Sequence, residues 1–488
     1  MIRVVRVAHA VGTAVRLTGL ALLVPMAASL ALDPWNRHVL GAFDLPSTFL
    51  AFGLCAALAA ALWLPLRVVA GGVSAEFSDR EGYIGVALGW LAAAIIAATP
   101  FLLLRLLGPV PSLFEAMSGL TGTGITALAH VDAVPRSALL WRSLLQWLGG
   151  LAVTVLSISL LARLTHGGLQ WMGPARARWR LAEVAQSVGG VYIVVTLAFA
   201  TLLDLALSWR HGLNGVEGLL ESLTQTFAAY GNGAFTLHGA VLFPDDPVLA
   251  GLRAAMMIAG ALNLPVAILL ARRHALKTLG ANPEVRFFVA TLVAAVVAVG
   301  ALTWNDDPMR AIAAAVGVAT GAGGPSTPAL PAAAGLVLVL SAVTGGMVAS
   351  PSGGLTSYRA LALLKSIGRE LRRLLHPKAV IPLRIGGRVV PEESVLAIIA
   401  FFFTFVTAWI LGTGLLAVLE PTLSLADAAS GAVAALGNVA FGFGPLAAVD
   451  GYAHLHLPAQ SVLTALMWLG RLEIFAGLLV FLPSTWRN

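Results

Sequence analysis

Residues 112–126 read Ser112-Leu-Phe-Glu-Ala-Met-Ser-Gly-Leu-Thr-Gly-Thr-Gly-Ile-Thr126. The first nine positions suit a helix. The rest alternate glycine with β-branched residues and favour its end. A helix over 112–120 rises only ~13 Å at ~1.5 Å per residue. That is less than half of the ~30 Å hydrocarbon core of a bilayer. Yet the segment lies between two long apolar runs, at about 82–107 and 137–163, each sufficient to cross a membrane. A helix that stops halfway and returns through glycines, between two full crossings, has the outline of a pore loop.

The outline recurs three times. The second repeat runs over about 183–208, 216–229, 230–235 and 247–272; the third over 285–304, 308–319, 320–324 and 330–375; the fourth over 392–419, 424–436, 437–442 and 457–482. Two further apolar runs, about 8–31 and 46–64, come first. Repetition on this scale decides the architecture before any local detail. The expected fold is an all-α polytopic membrane protein, with two N-terminal helices and four helix–pore-loop–helix repeats around a central pore in a pseudo-fourfold arrangement. The expected divisions are a two-helix region over 1–80, pore repeats over 81–165, 180–275, 283–376 and 392–486, and a linker over 377–391.

Composition agrees. Of 488 residues, 58% are hydrophobic and 11% charged, against about 25% charged in soluble domains. The net charge of +7 does not point to nucleic acid, because it is distributed by loop. Basic residues cluster at Arg3/Arg6, Arg67/Arg80, Arg163 to Arg180, Arg272 to Arg286 and Arg359 to Arg388. Acidic residues occupy the alternate loops, at Asp33/Asp44, Asp245/Asp246, Asp306/Asp307 and Glu420/Asp427/Asp450. The positive-inside rule places the basic loops in the cytoplasm, so Arg180, Lys277 and Lys378 are expected inside and Asp245 and Asp306 outside. Arg3 and Arg6 ahead of an apolar run resemble a signal peptide, but the run is too long for one and is expected to be a retained span. Cys55 is the sole cysteine, which excludes an intrachain disulfide. No HExxH, Walker-type, GxSxG or strand-borne GxGxxG string is present, so nothing in the sequence suggests an enzyme.

The four loops are Thr121-Gly-Thr-Gly-Ile125, Tyr230-Gly-Asn-Gly-Ala234, Thr320-Gly-Ala-Gly-Gly324 and Gly437-Asn-Val-Ala-Phe441. A cation crossing a bilayer exchanges its hydration shell for oxygen ligands, and rings of backbone carbonyls supply them. Aiming consecutive carbonyls inward needs left-handed backbone, which glycine adopts freely. Helix packing is the competing reading of membrane glycines. It suits Gly149-Gly150 and Gly189-Gly190, which lie within long helices. It does not explain recurrence at one place in four repeats.

The third repeat's second helix is interrupted by Thr344-Gly-Gly-Met-Val-Ala-Ser-Pro-Ser-Gly-Gly-Leu-Thr-Ser357. Broken backbone at membrane depth must face protein or a water-filled cavity, so 344–357 is expected on or across the ion path. Arg471, deep in the last helix, either pairs with a neighbouring helix or lines the pore as a positive barrier. Glu115 and Glu221, in short pore helices, either concentrate cations at the mouth or bond to a nearby loop. His454 and His456 form an HxH pair with no further ligand nearby, so no metal site is expected there.

These strings resemble the TrkH-type potassium transporters of the Trk/Ktr/HKT superfamily. Phe114-Glu-Ala-Met-Ser-Gly-Leu-Thr-Gly-Thr-Gly124 is similar to that family's first pore helix and filter, and Trp141-Arg-Ser-Leu-Leu-Gln-Trp-Leu-Gly-Gly150 to the helix after it. Leu375-His-Pro-Lys-Ala-Val-Ile-Pro-Leu-Arg-Ile-Gly-Gly-Arg-Val-Val-Pro391 resembles its cytoplasmic linker, and Gly470-Arg-Leu-Glu-Ile-Phe475 its last helix. The resemblance implies uptake of a monovalent cation, potassium, across the bacterial inner membrane. It implies ion-lining residues at Gly122, Thr123 and Gly124; Gly231, Asn232 and Gly233; Gly321, Ala322 and Gly323; and Asn438, Val439 and Ala440. It implies a gate built from Gly345, Gly346, Ser350, Gly353, Gly354, Thr356 and Arg471. It further implies a homodimer in the lipid bilayer, a cytoplasmic nucleotide-binding regulatory subunit of the TrkA type, potassium as the transported ion, no prosthetic group and no nucleic-acid partner.

The sequence departs from the family at four points. Gly122 and Gly321 stand where Thr or Ser precedes the key glycine. Ala440 takes a glycine's place, with strained left-handed backbone expected there. Thr356 stands where a lysine is expected. A sodium-permeable or poorly selective transporter and a non-conducting membrane sensor therefore remain alternatives. Channel and proton- or sodium-coupled symporter fit equally. The run through Arg369, Arg372, Arg373 and Lys378 is the expected docking site for the soluble partner.

Overall fold

A computed structural model describes residues 4–33, 47–71, 78–159, 181–239, 241–263, 280–304, 308–324, 330–448 and 450–486. Arg180, Lys277 and Asp306, used above to orient the chain, lie outside the described residues. The first span comprises α1 (Val4–Ala21) and α2 (Leu23–Leu32), which separate at Leu22 just ahead of Pro25. Proline has no N–H to return to the preceding turn. Antiparallel to it runs α3 (Ser47–Ala70). Close approach depends on small residues: a methyl on Gly19 would come within 2.7 Å of the Ala59 methyl.

The four repeats follow. The first has α4 (Asp79–Leu103), α5 (Pro109–Thr121) and α6 (Arg136–Ser159); the second has α7 (Leu181–His211), α8 (Gly215–Tyr230) and α9 (Pro247–Ala261). The third has α10 (Pro283–Leu302), α11 (Pro308–Thr320), α12 (Ala332–Thr344) and α13 (Ser357–Leu375). The fourth has α14 (Glu392–Leu419), α15 (Leu425–Gly437), α16 (Leu457–Arg471) and two short pieces, α17 (Phe475–Leu479) and α18 (Pro483–Trp486). Local chemistry fixes the starts. Ser78 and Glu81 close a capping box on α4, and Ser424 and Asp427 do so on α15. Asp246 caps α9 ahead of Pro247, and Asn282 caps α10 ahead of Pro283.

The repeats close into a ring. Each short pore helix packs on the second long helix of the preceding repeat: α8 on α6, α11 on α9, α15 on α12, and α5 on α16. The last of these joins the fourth repeat to the first. Among the described residues seven helices are long and apolar enough to cross a membrane: Val4–Leu32, Ser47–Ala70, Arg80–Leu103, Arg136–Ile158, Ala185–His211, Pro283–Leu302 and Glu392–Leu419. Their outer faces leave Leu54, Ile410, Leu411 and similar side chains exposed, as a lipid solvent permits. The chain is thus a multi-pass, all-α membrane protein.

Two findings modify the expected helices. The break in the third repeat falls at 345–356, as its glycines require. The last helix, expected unbroken over 457–482, also breaks, after Arg471, with Glu473 at φ 57° and Ile474 at φ 52°. Left-handed backbone is costly for a β-branched isoleucine. Its neighbours show what holds it: Arg471 and Glu473 are drawn to different partners. The linker folds into a minimal hairpin, β1 (Arg384–Ile385) against β2 (Arg388–Val389), turning through Gly386 at φ 59° and Gly387 at φ 79°. Successive left-handed residues are what a two-residue hairpin turn needs.

Candidate functional site

The four pore helices end in similar turns, and their hydrogen bonds align them. In each, a left-handed residue donates its N–H to the carbonyl three residues back. The pairs are Gly122 to Gly119 (3.0 Å), Asn232 to Ala229 (3.4 Å), Gly321 to Val318 (3.1 Å) and Asn438 to Ala435 (3.3 Å). The equivalent strings are therefore Gly122-Thr123-Gly124, Asn232-Gly233-Ala234, Gly321-Ala322-Gly323 and Asn438-Val439-Ala440. In the second repeat this register is one residue later than the sequence suggested, because Gly231 keeps φ −73° and the turn falls on Asn232.

The expected strain at Ala440 is absent. The left-handed residues of these strings are Gly122, Gly124, Asn232, Gly321, Gly323 and Asn438, while Ala440 keeps negative φ. Its methyl instead fills space beside a glycine: a Cβ on Gly323 would lie 2.6 Å from it, and one on Gly124 would lie 2.9 Å from the Ala234 methyl. Helix ends carry partial negative charge, so four C-termini around one small space attract a cation. The second long helices are notched to let the loops in. A side chain on Gly149, Gly260 or Gly470 would collide with the carbonyl of Leu120, Tyr230 or Leu436. Helix packing thus accounts for Gly149. Gln146 reaches into the second loop, where Gly233 leaves it room and its Oε1 accepts from Phe235 N–H (3.3 Å).

The interrupted segment lies against this ring. A Cβ on Gly321 would meet the Ser352 hydroxyl, and one on Gly353 would meet the Gly437 carbonyl and Asn438. Arg471 donates Nη1 to the Pro351 carbonyl at 2.6 Å, and its buried Nε and Nη2 have no hydrogen-bond partner. Nη2 lies 3.7 Å from where a Gly122 side chain would begin. The guanidinium therefore stands between the segment and the ring of loops with unspent donors. A cavity bounded by Val153, Ser157, Ser350, Thr356 and Arg471 occupies this side of the ring. Glu473, which also borders this cavity, pairs with Arg359 at the start of α13, whose guanidinium lies 4.1 Å over Phe401. The segment is tied down by Glu284, whose Oε1 accepts from Val348 N–H (2.8 Å), and by the Ala261 carbonyl, which accepts from Met347 N–H (3.0 Å).

Other candidates prove structural. Glu115 is fully buried, accepts from Arg142 Nε at 2.6 Å and from Ala127 N–H at 2.7 Å, and braces the strand leaving the first loop. Glu221 is also buried and accepts from Gln225 Nε2 at 2.6 Å. Both carboxylates are buried and hydrogen-bonded rather than exposed to solvent. His454 pairs with Asp450, and His456 with Glu420. No metal-ligating cluster occurs among the described residues. Arg369, expected to face a partner, is buried and bonded to both Glu392 oxygens, at 2.6 and 3.0 Å. It cannot be part of a docking surface. Sequence reasoning missed Gln146, Glu284 and the Arg359–Glu473 pair. Glu284 follows a proline and looks like an ordinary first-turn acid, and only the fold brings Val348 to it.

Residues 46–306 and 319–487 match the family described as TrkH, cation transport protein. The Trk system potassium uptake protein TrkH of Escherichia coli (strain K12) is 31% identical over 458 residues, covering 90% of this chain and 91% of its own. The Trk system potassium uptake protein TrkG of the same organism is 26% identical over 508 residues, covering 99% and 98%. The crystal structure of the potassium transporter TrkH from Vibrio parahaemolyticus superposes with a TM-score of 0.82 at 24% identity, over 99% of this chain and 100% of that one.

Proposed function

The chain belongs to the TrkH family of cation transport proteins, and from that premise we propose that it carries potassium into a bacterial cell through the ring of four loops. The observation that carries this is the ring itself: four helix C-termini with left-handed turns, in contact from repeat to repeat. Carbonyls of Gly122 to Gly124, Asn232 to Ala234, Gly321 to Gly323 and Asn438 to Ala440 would replace the ion's hydration shell. The chain divides into a two-helix region, four repeats and a linker between the third and fourth, with the first repeat beginning at the Ser78 cap of α4. The membrane potential suffices to drive uptake, at ~2.3 kcal/mol per monovalent charge per 100 mV. Ion-replacement flux in proteoliposomes tests the proposal. Potassium flux well above sodium flux is expected, and a wild-type protein passing neither ion overturns it.

One observation favours a second reading. Alanine, not glycine, ends the strings of the second and fourth repeats, so a sodium-permeable filter is the alternative that the same ratio measures.

Segment 345–356 acts as the gate, with Arg471 holding it shut. The protein works as a homodimer with a pore in each subunit, and a nucleotide-binding subunit of the TrkA type opens the gate from the cytoplasm. Basic loops lie inside, so a single cysteine at position 378 is expected to resist labelling from outside intact cells; external labelling there reverses the topology. With Arg369 committed to Glu392, docking falls to Arg372, Arg373 and Lys378. Neutralising these three is expected to abolish co-purification with the cognate subunit, and binding that survives excludes this face.

A further inference from the structure

We propose that Asn232 and Asn438 are positioning residues of the filter, whose side-chain amides brace the two Gly-x-Gly loops and so set discrimination between monovalent cations. This rests on the ring being an ion path.

The ring is built on two alternating joints. The first and third loops read Gly-x-Gly, while the second and fourth read Asn-x-Ala. Between repeats one and two, and between three and four, an alanine methyl lies beside a glycine, at Ala234 with Gly124 and at Ala440 with Gly323. The second of these joints adds a bond from Gly324 N–H to the Ala440 carbonyl at 3.1 Å. Between repeats two and three, Asn232 Nδ2 donates to the Thr320 carbonyl at 2.8 Å. Between four and one, Asn438 Nδ2 donates to Thr123 Oγ1 at 3.1 Å; within repeat four it also lies 3.0 Å from the Met467 carbonyl and 3.3 Å from the Ala435 carbonyl. The filter is thus pseudo-twofold within a pseudo-fourfold fold.

The backbone alone does not account for the asparagines. Glycine serves the same left-handed position in the other two loops, at lower steric cost. Both side chains are 1% exposed, and both leave Oδ1 without a hydrogen-bond partner. A buried amide with unused capacity is unfavourable, so its donor side carries the benefit. The orientation is fixed chemically, since carbonyl oxygens at Thr320 and Met467 accept only N–H.

The Asn438 bond also orders a hydroxyl chain. Thr121 Oγ1 donates to the Met117 carbonyl at 2.8 Å and lies 2.7 Å from Thr123 Oγ1. With Thr121's proton spent on Met117, Thr123 donates to Thr121 and accepts from Asn438. Thr123 Oγ1 is left an acceptor with one free lone pair. The hydroxyl chain thereby fixes the orientation of the Thr123 side chain within the first loop.

The experiment compares wild type with Asn232→Gly, Asn438→Gly and the double variant in proteoliposomes, reading total cation flux and the potassium-to-sodium ratio. Glycine keeps the left-handed turn and deletes only the amide. The potassium-to-sodium ratio is expected to fall about fivefold in each single variant, which corresponds to one hydrogen bond of ~1 kcal/mol. A ratio within about twofold of wild type overturns the proposal and leaves the asparagines as turn residues only. Thr123→Val, which removes the acceptor, gives an independent arm. Its effect is expected to be no larger when combined with Asn438→Gly, and full additivity overturns the proposed chain. Should wild type pass no cation, the transport reading fails, and this inference with it. Should wild type conduct while the glycine variants keep its ratio, only this inference fails.

Discussion

Proteoliposomes carrying a chain shortened within Val348 to Ser352 are expected to take up potassium about tenfold faster than wild type without any partner. Arg471→Ala is expected to act in the same direction. The segment is held from two sides. On the filter side, Arg471 donates to the Pro351 carbonyl. A charge-assisted hydrogen bond contributes about 1.5–3 kcal/mol, and each ~1.4 kcal/mol is tenfold in the open fraction. On the other side, Glu284 holds Val348, and Val348 and Ala349 share an apolar cluster with Leu383, Ile385 and Val390 of the linker hairpin. The hairpin turn also touches the start of α10: a Cβ on Gly386 would come within 3.0 Å of the Pro283 ring, next to Glu284. A force on the hairpin therefore reaches the segment through contiguous packed groups, and the partner is expected to apply it there. Wild-type flux in both variants, with a normal response to the partner, would leave the interruption to packing alone.

The elements that hydropathy and punctuation specify were legible in the sequence. Apolar runs, prolines at helix starts and glycine clusters at helix ends locate nearly every helix, and four glycines and a proline locate the break at 345–356. The filter's register was less legible. Glycine marks permission for left-handed backbone, not its use. In Gly231-Asn232-Gly233 the asparagine takes the turn, because Gly233 must admit Gln146. The second break, after Arg471, has no glycine or proline at its centre. It depends on Arg359 of α13, which pairs with Glu473, and on the Pro351 carbonyl of the interrupted segment, which accepts from Arg471, both distant in sequence. Arg369 looked like surface because it stands in a basic run. Only the fold sets Glu392 beside it.

Arg142→Met is expected to yield little folded protein, and what survives extraction should melt far below wild type. Arg142 and Glu115 are 2% and 0% exposed, and Arg142 Nη2 also bonds Thr126 Oγ1 at 3.0 Å while its guanidinium lies 4.1 Å over Phe235. Removing one partner of a buried pair costs about 3–5 kcal/mol, because the other charge stays buried and unpaired. Replacing both is different. Glu115→Gln with Arg142→Met leaves no orphaned charge, and an uncharged replacement of a buried pair is often near neutral in stability. The double variant should recover much of the melting temperature. It should not recover normal selectivity, because Thr126 and the Ala127 N–H lose the carboxylate that holds the strand leaving the first loop. Melting and ion ratio thus separate two roles of one ion pair. A double variant that melts like wild type and keeps its ratio would make the pair a packing element only. One that stays unfolded would show that Glu115 contributes through its charge on the loop rather than by neutralising Arg142.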